Sequence, residues 1–452
     1  MSDVTVVGAG PAGMAAALAA AGAGCQVDLL DSAPRPGGQF HRQPFTGAPD
    51  PGAPFAALAT HPRIRWHPDT TVWAAEPGPR LYLRHEDGPA RVLDSRAVVL
   101  ATGGYDRALP FPGWDLPGVL TAGGMQALLK GQRLLAGRRV VLSGTGPFLL
   151  PVAAAMAEAG ARVVGVFEAG HPGRWSRHLP AVRAVPGKLR EGWDYLRVLR
   201  RHRVPVRFRH AVVRAHGDGE VTGATAARLR PDWTVVPGST RRVEVDAIGV
   251  GYGFVPVLEL ALALSAAATP DGVEVDRWQR TTAAGVFAAG ETTGIGGAAL
   301  AAAEGQLAGL AAAVHCGRLD GPAAARIGRA AWRDRYRHRR FADALRAVYP
   351  VRDGWRTWLD GDTVVCRCEE VPLAALRHAL DDLAVTDLRT LKLVTRAGMG
   401  MCQGRVCGNA VADLLRAHTG CPVPDPLRLA TRPLAVPVPL GVLAGLDRPA
   451  TP

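Results

Sequence analysis

The sequence predicts an α/β protein in which one strand–glycine turn–helix–strand unit is nested inside another, followed by a small, mostly helical domain. Three stretches predict it. "VTVVGAGPAG" (4–13) opens the chain, and "RRVVLSGTGP" (138–147) repeats its pattern. "VVCRCEEV" (364–371) and "MCQGRVCG" (401–408) then place four cysteines in two tight pairs. At 452 residues there is room for two to four domains with large cores.

In the opening unit Val4 to Val7 read as a strand. A small-residue helix runs to about Ala21, and "QVDLL" forms a second strand ending at Asp31. Gly8, Gly10 and Gly13 fill the G-x-G-x-x-G positions, with Pro11 and Ala12 between them. Gly8 makes the tight turn, Gly10 lets backbone N–H groups approach a pyrophosphate, and Gly13 lets helix pack on strand. The helix N-terminus adds a positive dipole. Asp31 is placed to accept hydrogen bonds from a ribose hydroxyl. Together these parts predict a dinucleotide site.

Three further stretches resemble the two-dinucleotide-domain flavoproteins, and the resemblance implies that the dinucleotide is FAD. "PRPGGQF" (34–40), with Gly38 and Gln39, is similar to the glycine pair after the second strand. "AVVLATGGYDRALPFPG" (97–113) resembles the strand ending in A-T-G, here with Ala101, Thr102 and Gly103. "GVFAAGETTGIGGAALAAAEGQLAG" (285–309) resembles the late FAD-binding segment, carrying Gly290, Glu291, Gly296, Gly297 and Ala298. Glu291 stands where most relatives have Asp, near the ribityl chain and pyrophosphate. The helix after Gly297 is expected to aim its positive end at the flavin. Tyr105, Asp106 and Arg107 read as a loop held by local hydrogen bonds, with approach to the flavin as the alternative.

The second unit spans Arg138 to Gly170. Gly144 and Gly146 match the first two glycines, but Leu149 occupies the third position. Glu168 ends the following strand, where an acid suits the 2′-hydroxyl of NAD and repels an NADP phosphate. Two readings stay open: NAD(H) binding, or a retained fold without ligand. Beyond it, "VRFRHAVVRAHGDGEVTGATAARLR" suggests antiparallel strands finishing the nested domain, and "RRVEVDAIGVGYGFVP" (241–256) reads as a buried strand rejoining the first domain. Neither unit contains a C-x-x-C, which argues against disulfide reduction. Cys25 and Cys316 read as buried structural thiols.

The formal charge is +13, almost all of it arginine, since the lysines are only Lys130, Lys188 and Lys392. Such a surface favours anionic cofactors, substrates or partners. "WRDRYRHRR" (332–340) reads as a solvated helix face; no nucleic-acid module accompanies it. No signal peptide is visible, and the most apolar stretch (296–315) is interrupted by Glu304 and Gln306, so no membrane span is expected. The chain reads as cytoplasmic, where paired thiols more often hold metal than form disulfides.

The pattern around the thiols is C-x-C, 33 residues, then C-x4-C: Cys366, Cys368, Cys402 and Cys407. Two close pairs of thiolates can ligate zinc or a [2Fe–2S] cluster. A C-x-C chelate is uncommon for structural zinc. Arg367, Arg396 and Arg405 lie beside the ligands and would offset a cluster's negative charge. Gly398, Gly400, Gly404 and Gly408 would let N–H groups point at sulfur. Helix periodicity appears at 373–383 and 409–420, and Cys421 falls outside the pattern. The segment resembles the bacterioferritin-associated-ferredoxin-like (BFD-like) [2Fe–2S] domain, in its variant with the wider second pair.

The full order resembles the electron-handling α subunit of the opine oxidase, hydrogen cyanide synthase and D-hydroxyproline or L-proline dehydrogenase family. That resemblance implies two nested Rossmann-like domains of the FAD/NAD(P)-dependent oxidoreductase type. Residues 1–114 and 244–320 would form the FAD domain and 115–243 the NAD-like domain. A helical linker (321–360), a [2Fe–2S] domain (361–421) and a Pro-rich tail (422–452) would follow. It further implies a smaller flavoprotein partner that oxidises the C–N bond of an amino acid or opine, and a downstream acceptor, which can belong to a membrane chain. In some members an FMN sits at the subunit interface. The alternative is a stand-alone NADH-dependent reductase of a ferredoxin-like acceptor.

Overall fold

The structure is a computed structural model and describes residues 2–47, 52, 55–85, 88–420 and 430–444. Cys421 and much of the Pro-rich tail lie outside the described residues. Two compact units emerge: Met1–Gly104 with Val255–Ala342 and Ala430–Pro452, and Tyr105–Phe254 with Asp343–Leu429.

The first unit is built on a five-stranded parallel sheet. Its order is Val286–Ala288, Ala97–Leu100, Val4–Val7, Val27–Leu30, Ile64–His67. Every residue of Val4–Val7 is buried, as expected for a central parallel strand covered on both faces. The helices Pro11–Gly22 and Ala298–His315 meet at backbone contact. A Cβ on Gly305 would lie 2.0 Å from the Ala12 carbonyl oxygen, and one on Gly309 2.3 Å from that of Ala16. Glycine and alanine are therefore required where the helices cross. The apolar stretch at 296–315 is this packed helix, and no described helix is long and apolar enough to cross a membrane.

Asp28 is the charged residue inside this sheet. It accepts from Ser2 Oγ at 2.6 Å and pairs with His67 Nε2 at 2.9 Å and Arg65 at 3.5 Å. Burial pushes its carboxyl up, but these partners outweigh burial and hold it below the usual value of 3.8. A depressed carboxyl stabilises the fold above its unfolded pKa, and that stabilisation is lost as pH falls through the folded value. Asp28→Asn is expected to cost about 2 kcal/mol at neutral pH and less as pH falls through the lowered folded value, measured by urea unfolding at neutral and acid pH.

In the second unit the five-stranded parallel order is Val206–Phe208, Arg162–Glu168, Arg139–Gly144, Ala247–Gly251, Val119–Thr121. An antiparallel sheet, His210–Asp218, Glu220–Arg228 and Arg241–Glu244, lies beside it. Two placements differ from the sequence reading. Val206–Phe208 joins the parallel sheet rather than the antiparallel one. The stretch 241–256 divides, and Ala247–Gly251 enters the nested sheet rather than returning to the first domain. The cause is close contact: a Cβ on Gly144 would lie 1.7 Å from the Gly251 carbonyl oxygen, so this strand closes directly on the second glycine turn.

One core joins that sheet to the cysteine-bearing segment. Phe111, Trp114 and Trp233 pack in the same cluster as Trp358, Leu376 and Cys407. The Trp358 indole donates to the Trp233 carbonyl at 2.9 Å, and the Trp114 indole donates to that of Val364. Helices Leu373–Asp381 and Gly408–Thr419 occupy the predicted positions, with Leu388–Thr395 between them.

Candidate functional site

Four segments far apart in sequence converge in the first unit. A Cβ on Gly13 would lie 1.7 Å from the Gly8 carbonyl oxygen, and one on Gly8 2.3 Å from that of Ala101. Gly38, at φ +58°, backs onto Gly10, and Gly290 lies against Ala12. Thr102 Oγ1 meets Thr292 Oγ1 at 3.3 Å, and both hydroxyls donate to the Val257 carbonyl. The glycine turn, the Gly37–Gly38 pair, the A-T-G strand end and the late segment thus form one cradle. Its inner surface is backbone. A Cβ on Gly10 would meet only Gly38, at 3.9 Å, and Gly103 and Gly297 have nothing within 4 Å. The helix Pro11–Gly22 starts at Gly10 with no side-chain cap, leaving its first N–H groups for an anion. Pro11 fills its first position, Ala12 is buried, Ala298 begins the late helix, and Gln39 is exposed. This donor set fits the pyrophosphate of a dinucleotide.

The two acids of the cradle face the backbone. Asp31 accepts from Ala9 N at 2.5 Å and Ala33 N at 2.8 Å; burial pushes its carboxyl up. Glu291 accepts from Gly296 N and Gly297 N, each at 2.8 Å, in the turn just before the helix Ala298–His315. Sequence reasoning missed the support beneath it. Glu304, fully buried, accepts from Gly290 N at 3.1 Å and Thr293 Oγ1 at 2.9 Å, and pairs with Arg339 at 2.5 Å and Arg335 at 3.6 Å. Two arginines of "WRDRYRHRR" therefore turn inward rather than to solvent. The available signal was a lone acid in an apolar helix, which requires buried partners.

The second unit repeats the acid's role at the same spacing. Ala9 and Asp31 stand 22 residues apart, as do Gly146 and Glu168, and each acid also accepts from the N–H two residues on. Glu168 accepts from Thr145 Oγ1 at 2.8 Å, Gly146 N at 2.8 Å and Gly170 N at 2.6 Å. It is only 6% exposed, and burial pushes its carboxyl up. The Tyr349 ring closes over Gly170, held by a Trp175 indole bond of 3.1 Å. Gly146 itself faces open space. Of the candidate 138–170 loop residues, Gly144 serves strand packing, and Glu168 is closed in.

The four predicted thiols come together. Cys366 ends the strand Val364–Cys366, Cys368 lies in the turn before Val371–Pro372, and Cys402 and Cys407 bracket the turn into Gly408–Thr419. Sulfur contacts run in a row, Cys368–Cys402–Cys407–Cys366. Contact with the Cys407 thiol holds Cys366 down at about 6 and Cys402 at about 5, while Cys407 itself is pushed up. Backbone N–H groups point at sulfur as expected: Gly398 N reaches Cys366 Sγ at 3.4 Å, and Gly404 N serves Cys402. A Cβ on Gly400 would lie 2.3 Å from that of Cys368, and Gly408 N bonds the Gly404 carbonyl. Cys25 and Cys316 are buried in the first unit, as expected.

Two of the arginines beside the ligands make contacts elsewhere in the protein. Arg367 stacks on Trp114 at 5.1 Å and donates to the carbonyls of Asp115 and Val119, each at 3.4 Å. Arg396 is paired with Glu369 at 2.8 Å. Arg107, in the loop after the A-T-G strand, pairs with Asp413 at 3.0 Å, and Asp106 accepts from Thr121 Oγ1 at 2.7 Å. Arg367 is thus a clamp between the C-x-C turn and the nested sheet. Arg367→Ala is expected to lower stability by about 1–2 kcal/mol in urea while leaving iron content unchanged. Loss of iron in the variant would make Arg367 part of the cluster's binding instead.

A dinucleotide cradle on a parallel sheet, with an added cysteine-held cluster site, defines an FAD-dependent oxidoreductase carrying a [2Fe–2S] domain. The chain belongs to the pyridine nucleotide-disulphide oxidoreductase family, whose model matches residues 2–306, and residues 364–417 match the BFD-like [2Fe-2S] binding domain. The HcnB subunit of hydrogen cyanide synthase from Pseudomonas aeruginosa is 34% identical, over 92% of this chain and 93% of that protein. An opine oxidase subunit from Agrobacterium tumefaciens is 32% identical, over 92% of this chain and 86% of that protein. In fold, the L-proline dehydrogenase from P. horikoshii matches with a TM-score of 0.66 at 19% identity, covering 98% of this chain and 79% of that one.

Proposed function

We propose that this chain is the electron-transfer subunit of a hetero-oligomeric dehydrogenase or oxidase of secondary amines, amino acids or opines. A smaller flavoprotein partner oxidises the C–N bond. The observation that carries this reading is the occurrence of both a backbone-lined dinucleotide cradle and a four-thiol row in a chain similar along its length to proteins named as subunits. FAD would be held by the turns at Gly8–Gly13, Gly38–Gln39, Ala101–Gly103 and Gly290–Ala298, and the cluster by Cys366, Cys368, Cys402 and Cys407. A bound flavin accepts electrons in pairs, and a cluster passes them singly. The residues of the chain orient the two groups, exclude water from Cys366 and Cys407, and direct N–H groups at sulfur. An FMN at the subunit interface and a separate one-electron acceptor complete the proposed relay.

The rival source of electrons is NADH at the second glycine turn. Burial of Glu168 under Thr145, Gly170 and Tyr349 argues against it, because a ribose hydroxyl needs an accessible carboxylate. The test expresses the chain with and without a candidate amine-oxidising flavoprotein and follows dye reduction. Co-purification and dye reduction by a secondary amine, with little NADH turnover, is the expected result. Brisk NADH oxidation by the isolated chain, with no response to any amine or opine, would overturn the proposal.

A further inference from the structure

The helix Pro186–Arg201 of the second unit packs by one face only. Leu199 is buried in the core that holds Val140 and Leu142 of the parallel sheet, and Tyr195 and Val198 lie against that core. The outer face carries Leu189, Trp193 and Leu196, which are 54%, 63% and 43% exposed. These positions stand at i, i+4 and i+7, so they form one stripe along the helix. A helix that already buries one apolar face is expected to present polar residues on the other. Single exposed apolar side chains are ordinary, whereas a tryptophan between two leucines on one face marks a contact surface. The strand that follows, Val206–Phe208, is the edge of the sheet and leaves Phe208 42% exposed.

The charge around the stripe is one-sided. Residues 171–203 hold nine arginines and lysines against two acids, so this stretch carries +7 of the chain's +13. Both acids are engaged. Glu191 takes Lys188 at 2.6 Å and the Tyr195 hydroxyl at 3.1 Å, and Asp194 pairs with Arg197 at 3.6 Å. Arg190, Arg200 and Arg201 have no ion pair among the described residues. An acidic surface complements such a face. A second copy of the chain does not, because it would set +7 against +7. A lipid surface is a poorer match than a protein, since exposed Asp194, next to Trp193, would be pressed against anionic headgroups.

We propose that the outer face of Pro186–Arg201 is where the partner subunit docks, with Trp193 seated in an apolar groove of the partner and Arg190, Arg200 and Arg201 facing acidic side chains on its rim. The inference rests on the subunit reading given above and adds to it the chemistry of the matching surface. Apolar anchors at this spacing are how an amphipathic helix enters a groove, and tryptophan and arginine carry much of the binding energy at protein interfaces.

The test co-expresses the full chain with a candidate amine-oxidising flavoprotein and measures the dissociation constant of the purified pair. In Trp193→Ala that constant is expected to rise about tenfold or more, with flavin content, iron content and the urea midpoint of the chain unchanged. Arg200→Glu should weaken association by a similar factor at about 0.05 M salt and by much less at about 0.5 M, because the added repulsion is screened. This second variant also decides the matter if Trp193→Ala does not fold. Association as tight as wild type in both variants would overturn the docking site. So would a pair left intact by Trp193→Ala while self-association of the chain, or its binding to phosphatidylglycerol vesicles, is lost. Wild-type chain that associates with no such flavoprotein would sink the subunit reading and this inference together, whereas an intact pair in both variants sinks only the docking face.

Discussion

Cys407→Ser is expected to purify without iron or acid-labile sulfide while keeping its flavin. Cys407 is the junction of the thiol row, in contact with both Cys366 and Cys402. It is 1% exposed and packs in the core that contains Leu376 and Trp358. A serine hydroxyl is a far poorer ligand for iron than a thiolate, and no other residue can move into so closed a position. Cluster binding also contributes to folding, because the ligands are ordered only when the turns around them are. The variant should therefore show faster proteolysis within 361–420 and an unchanged first unit. Cys25→Ser and Cys316→Ser provide the contrast. Both thiols are buried, burial pushes Cys25 up to about 12, and Cys316 Sγ donates to the Asp3 carbonyl at 3.3 Å. They should keep full iron content. Iron retained in Cys407→Ser, or zinc found in wild type, would remove the cluster from this account.

The parts of this molecule that sequence makes legible are those whose geometry repeats over short spans. Gly8, Gly10 and Gly13 are close in sequence because one turn needs all three, and the same holds for Cys366 and Cys368. Partners hundreds of residues apart leave no such trace. Nothing in "VVCRCEEV" shows that Arg367 will stack on Trp114, or that the Val364 carbonyl will receive the Trp114 indole. The destination of Ala247–Gly251 is hidden for a related reason. A buried parallel strand reads as an apolar run in any sheet, and only the contact of Gly251 with Gly144 fixes which one. Asp31 and Glu291 show a third limit. An acid at the end of a strand or before a helix suits both a ligand and the backbone N–H groups next to it, and sequence does not show that Asp31 and Glu291 also hold those N–H groups. Arg339 is invisible as a structural residue within a basic run until Glu304 is seen beneath it.

Gly13→Ala should abolish flavin binding and destabilise the first unit by about 3 kcal/mol, measured by urea unfolding of purified protein. On helix propensity alone the substitution would help, since alanine is preferred over glycine by about 1 kcal/mol inside a helix. Sterics reverse the sign. The added Cβ would sit 1.7 Å from the Gly8 carbonyl oxygen, which is backbone and cannot rotate away. Gly8 cannot retreat either: it is held at φ +101°, and a Cβ there would lie 2.3 Å from the Ala101 carbonyl oxygen. The clash must then be relieved by shifting the helix Pro11–Gly22 as a body, which separates it from Gly305 and Gly309 and moves the N–H groups at Gly10 out of reach of a pyrophosphate. Gly22→Ala, at the other end of the same helix, meets nothing within 4 Å and should stabilise by about 0.5–1 kcal/mol. Opposite signs from the same chemical change on one helix would tie the flavin site to the closeness of the turn rather than to the helix as such. FAD at full occupancy in Gly13→Ala would mean that the cradle does not hold it.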